Sequence, residues 1–138
     1  MVISEKEYGE LILRLSMLAQ NRTITSAWHF GGEIRRLWKP LYGTALIKRI
    51  AEDVGVSVPW IYAWRLFRNR WPAKEDLERL VTKRVKWSDI LILVHGSLTR
   101  RDRDELVNFI GKVGPTHEEL RKAAWVRIRE NRRIENYC

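Results

Sequence analysis

The chain has 138 residues, 45% of them apolar, and its 26 Lys and Arg against 17 Asp and Glu give a formal charge of +9. That size fits one domain, or one domain with a tail, and the apolar fraction suffices for a packed core. No stretch approaches the ~20 apolar residues that span a bilayer, the single cysteine, Cys138, leaves no internal disulfide, and the basic balance favours nucleic acid or another polyanion as partner.

The opening MVISEKEYGE lacks the basic-then-apolar layout of a signal peptide, so a cytoplasmic, nucleoid-associated location is expected. Ser4 and Glu7 have capping-box spacing. Tyr8, Leu11, Ile12, Leu15 and Leu18 then form the stripe of an amphipathic helix, which Asn21 and Thr23 break. A second helix carries Ile24, Ala27, Trp28, Ile34 and Trp38 and ends before Pro40. Gly31-Gly32 weakens its middle, either for close packing against another helix or as a kink.

From Thr44 to Trp71, TALIKRIAEDVGVSVPWIYAWRLFRNRW, the spacing is that of a helix-turn-helix. Ala51 is small enough to let two helices cross closely. Gly55 can take the left-handed conformation that ends the first helix, and Val56 fills the gap beneath the turn. Ser57 can cap the second helix. Pro59 falls in its first turn, where a missing N–H does little harm. Ile61 and Trp64 lie one turn apart and face the first helix.

Pro72 starts a further segment in which Leu77, Leu80 and Val81 are expected to pack inward. WSDILILV, residues 87–94, is short enough for a strand, but its helical surroundings favour a buried helix. Thr99 caps the next helix, with Asp102 and Asp104 near its positive end, and Leu106, Val107, Phe109 and Ile110 line one side. Gly111, Gly114 and Pro115 mark a turn. Thr116 and Glu119 repeat the capping-box pattern before a last helix through Trp125 and Ile128. Arg121, Lys122, Arg127, Arg129, Arg132 and Arg133 make the final stretch strongly basic, as a grip on phosphates or as a solvated face paired with Glu130 and Glu135.

A second helix of this kind meets base edges with its N-terminal half. The base-edge candidates are therefore Ser57, Val58, Pro59, Tyr62 and Ala63, a set with no Asn, Gln or Arg and so little capacity to read sequence. Lys48, Arg49, Arg65, Arg68, Arg70, Arg132 and Arg133 are the phosphate candidates, which position without specifying. Trp64 is expected in the core. Trp60 has two readings, core or contact with a base or partner. Trp28, Trp38, Trp71, Trp87 and Trp125 fall on apolar faces and are expected to be buried. His29, His95 and His117 are far apart in sequence and lack partners at metal-ligand spacing. Asp102, Asp104 and Glu105 sit at a helix start, where acids are ordinary. No Gly-rich phosphate loop and no serine nucleophile motif is present.

The stretch 45–124 resembles the helical DNA-binding domain of ParB/KorB-type partition and repressor proteins. The matching pieces are IAEDVGVSVPWIYAWRLF, Pro72, WSDILILV, RRDRDELVNFI and THEELRKA, in the same order. The upstream NRTITSAWHFGGEIRRLW and YGTALIKRIAEDV are similar to the helical N-terminal domain of certain bacterial PD-(D/E)xK-type nucleases. The first resemblance implies DNA binding. Its nucleotide-binding box is only faintly echoed by GGEIRR, so nucleotide binding is not carried over. The second implies no cleavage, because no Asp or Glu stands two residues before any lysine.

Together these readings predict an all-α bundle of seven to eight helices, orthogonally packed, forming one domain over 1–138. Its parts are a helix-turn-helix at 44–71, a C-terminal helical part at 72–131 and a basic tail at 132–138. The expected function is binding of double-stranded DNA as a repressor or partition-type factor, as a homodimer. No enzymatic activity, cofactor, metal, membrane partner or small-molecule substrate is expected. The alternative is a protein-interaction module whose apolar second helix docks a partner.

Overall fold

The computed structural model describes residues 3–38 and 43–137. Among them there are eight α-helices and no strand: α1 Glu5–Gln20, α2 Ile24–Trp38, α3 Gly43–Val54, α4 Val58–Arg70, α5 Lys74–Thr82, α6 Trp87–Leu93, α7 Arg100–Val113 and α8 His117–Tyr137. The expected end of α2 before Pro40, the Trp38 side chain and Cys138 lie outside what is described. No helix among the described residues is long and apolar enough to cross a membrane.

The chain divides into two compact units, with the boundary between Pro72 and Ala73. The first contains α1–α4 and the second α5–α8, and each encloses apolar stripes of its own helices. Residues 132–137, the expected basic tail, are the last turns of α8.

In the first unit, α1 and α4 each pack on both α2 and α3. Ser4 caps α1 by accepting from the Glu7 N–H. The stripe then buries Tyr8, Leu11 and Leu15 against Phe30, Ile34 and Leu37 of α2, Ile47, Ile50 and Ala51 of α3, and Ile61 of α4. The tightest approach joins α2 and α4. A Cβ on Gly31 would stand 2.0 Å from the Trp64 carbonyl oxygen, and one on Gly32 would stand 1.9 Å from the Arg68 guanidinium. Close packing is thus the reason for the Gly-Gly pair, and α2 remains helical through it.

In the second unit, Leu77, Leu80, Val85, Ile90, Leu93, Leu106, Val107, Ile110, Leu120, Ala124 and Ile128 are buried. Val81, expected inside, is 50% exposed. Residues 87–93 form the helix α6, as their surroundings suggested, and α6 and α7 both pack on α8. Thr99 and Asp102 cap α7 reciprocally, each backbone N–H meeting the other's side chain. Gly114 ends α7 at φ +63°.

Candidate nucleic-acid interface

The turn between α3 and α4 folds as its residues dictate. Gly55 has φ +82°, and its N–H and that of Val56 both donate to the Ala51 carbonyl, at 2.9 and 3.0 Å. A Cβ on Gly55 would touch nothing, so glycine serves the backbone conformation there, not the space. Val56 packs against the core as the plug under the turn. Ser57, with extended backbone, accepts from the Trp60 N–H and starts α4, with Pro59 in the first turn.

The candidate base-edge residues separate into two groups. Ser57 and Pro59 are exposed, while Val58, Tyr62 and Ala63 are half-buried, with Val58 and Tyr62 leaning on the core. Of the base-edge candidates only those at the start of α4 therefore project outward, and Trp60, 42% exposed, projects with them. Behind it the aromatics form a ladder: Trp60 to Trp64 at 5.7 Å and Trp64 to Phe30 at 4.4 Å between ring centroids. Trp64 is half-buried and packed on the core.

The three phosphate candidates on α4 are half-buried. Arg68 turns inward: its guanidinium carbon lies 3.4 Å from the centre of the Trp28 ring and its Nη1 donates to the Trp28 carbonyl at 3.2 Å. Burial, with the Arg35 charge behind it, pushes its pKa down. Trp28 in turn donates its indole N–H to the Trp71 carbonyl. Arg68 thus fills the space that Gly32 leaves beside it. Arg65 and Arg70 are half-buried, and burial also lowers the Arg65 pKa.

On α3, Lys48 and Arg49 are exposed. Arg49 is engaged, meeting Glu5 at 3.1 Å and Asp53 at 3.9 Å and lying 3.9 Å over the Tyr8 ring. Tyr8 donates to Asp53 at 2.6 Å, and burial followed by this hydrogen bond pushes the phenol pKa up. This Glu5–Arg49–Tyr8–Asp53 cluster ties α1 to α3. Sequence reasoning missed it because its partners lie more than forty residues apart.

The second unit carries the other candidates. Arg132 and Arg133 are exposed on α8. Trp125, expected in the core, is 42% exposed. Trp28 and Trp71 are buried as expected, and Trp87 is half-buried. The α7 start is a polar junction. The Asp102 carboxylate accepts from the Thr99 N–H at 3.0 Å, Asn131 at 2.8 Å and Arg127 at 3.3 Å, and Arg127 also holds Glu105. Burial alone pushes the Asp102 carboxyl up, but these donors outweigh it and bring its pKa down to about 2. Asp104 instead meets Arg79 at 3.2 Å. These acids are thus consumed by structure.

His29 lies on α2, His95 after α6, and His117 starts α8. Among the described residues no three His, Cys, Asp or Glu side chains gather as a metal site would require. No protein-family model, curated protein or solved structure matches the chain.

Proposed function

We propose that the chain binds double-stranded DNA through the α3–α4 unit, with the exposed first turn of α4 entering the major groove. The observation that carries this reading is the capped turn itself. Gly55, Val56 and Ser57 set α4 at a fixed angle to α3 and leave Ser57, Pro59 and Trp60 outermost, in a chain of +9. Lys48 is the phosphate contact of the set on α3. Arg68 is engaged with Trp28 instead, and Arg65 and Arg70, half-buried, are the secondary phosphate candidates on α4. With one hydroxyl and a proline facing the bases, recognition rests on groove shape and charge more than on base identity. A homodimer acting in repression or partition would place two such turns on one duplex.

The test is a titration of a labelled duplex, with Pro59→Glu as the variant. An acid in the first helical turn favours the helix, so the fold is kept while a negative charge faces the DNA. Duplex affinity is expected to fall at least tenfold, and the wild-type affinity to fall steeply with salt. An unchanged affinity in Pro59→Glu overturns the reading.

The composition of the turn favours a second reading. Val58, Pro59 and Trp60 make an apolar tip, which suits docking on a protein partner. Wild-type chain without salt-dependent duplex affinity would decide for it.

A further inference from the structure

One exposed flank of α8 combines a tryptophan with arginines. Trp125 projects from it, 42% exposed. Arg121 stands one turn before Trp125 and Arg129 one turn after, both exposed, each ~6 Å along the axis at 1.5 Å per residue. Arg132 follows on the same side, its guanidinium carbon 5.7 Å from the centre of the Trp125 ring. The acid on this stripe, Glu118, is held by Lys122 at 3.5 Å. Glu130 lies toward the other flank of the helix.

The arginine–tryptophan geometry separates this site from the structural stack in the first unit. Arg68 lies flush on Trp28 at 3.4 Å and buries it. Arg132 stands off Trp125 by a further 2 Å or so, and His95 approaches the same indole at 6.1 Å and 55°. The loop that carries His95 is fixed: Ser97 donates its N–H to His95 Nδ1, and Asn131 donates to the Ser97 carbonyl. An accessible indole between cations one turn away on either side has the layout of a stacking platform with phosphate contacts.

We propose that this face binds single-stranded nucleic acid, one unpaired base stacking on Trp125 and the flanking phosphates meeting Arg121 and Arg129. Arg132 widens the platform by lying beside the stacked base. Duplex DNA offers no free base face to Trp125, so this site and the α4 turn take different forms of nucleic acid. The inference does not depend on the duplex reading.

Full-length chain is titrated by fluorescence anisotropy with labelled oligothymidylate of 20 nucleotides and, separately, with a labelled duplex. Trp125→Ala is expected to weaken oligothymidylate binding about tenfold, Trp125→Phe to keep most of the affinity, and both to leave duplex affinity within about twofold. Arg121→Gln with Arg129→Gln is expected to lower the salt dependence for the oligonucleotide by roughly two contacts. Pro59→Glu is expected to leave oligothymidylate binding unchanged, which separates failure here from failure of the α4 reading. Equal affinity of wild type and Trp125→Ala for oligothymidylate overturns the proposal. So does an equal loss on the duplex, or binding of the wild type to anionic lipid vesicles that outcompetes the oligonucleotide.

Discussion

The two units contain the same turn, made from different residues. In the first, Ala51, Gly55, Val56, Ser57, Ile61 and Trp64 set the pattern. In the second, Leu80, Arg84, Val85, Lys86, Ile90 and Leu93 stand at the same offsets. Val56 donates its N–H to the Ala51 carbonyl and Val85 donates to the Leu80 carbonyl, both at 3.0 Å. Ile61 and Ile90 are fully buried one turn into the following helix. Yet Gly55 takes the left-handed position without strain, whereas Arg84 takes it at φ +60° with a side chain. Lys86 starts α6 with no side-chain cap, and Asp89 supplies the reciprocal half by accepting from the Lys86 N–H at 3.0 Å. One turn is set locally by its own sequence; the other is imposed by what packs around it.

The units also differ in how their helices are fastened. The first brings two backbones together, α2 touching α4 through Gly31 and Gly32. The second adds a charged knot between α7 and α8, made by Asp102, Glu105, Arg127 and Asn131.

The largest expected effect breaks the first fastening. Gly31→Leu drives a side chain into the Trp64 carbonyl and should cost about 3 kcal/mol or more, read as a fall in the denaturant midpoint of the first unit. Amide exchange that leaves α1–α4 as protected as in wild type would refute the close-approach account.

Acid comes next, and it should act on the second unit. The folded Asp102 carboxyl, at about 2, lies below its ordinary 3.8. Its contribution is therefore present in full above about pH 4 and is lost as pH falls from about 4 toward 2. With a side chain only 15% exposed, the loss is on the order of 2 kcal/mol. Residues 100–131 should lose amide protection in that window before α1–α4 do, and Asp102→Asn should remove the difference.

The smallest effect sharpens the comparison of the turns. Arg84→Gly relieves the left-handed strain and should stabilise the second unit by about 0.5–1 kcal/mol. Gly55→Ala should destabilise the first by a similar or larger amount. Thermal midpoints that move in the same direction for both would show that the two positions are not equivalent.

How much was legible differs between these features. The Gly55 turn, its Ser57 cap and the buried Ile61 after it were readable because each depends on residues within ten positions along the chain. The Arg84 turn was not, because arginine carries no local signal for a left-handed backbone. Trp125 read as core from its place on an apolar stripe, but it lies at the edge of that stripe, and the packing angle of α8 decides its exposure. The inward turn of Arg68 had one trace in the sequence, the adjacent glycines, whose partner was invisible.

Sequence alone determined the helices, their caps and the turn at Gly55, since helical periodicity, capping and glycine's backbone freedom act over a few residues. Tertiary structure decided the division into two units, which arginines are spent inside and which tryptophan faces out. Those outcomes depend on pairs such as Trp28–Arg68 and Asp102–Asn131, brought together only when distant helices bury one another's faces.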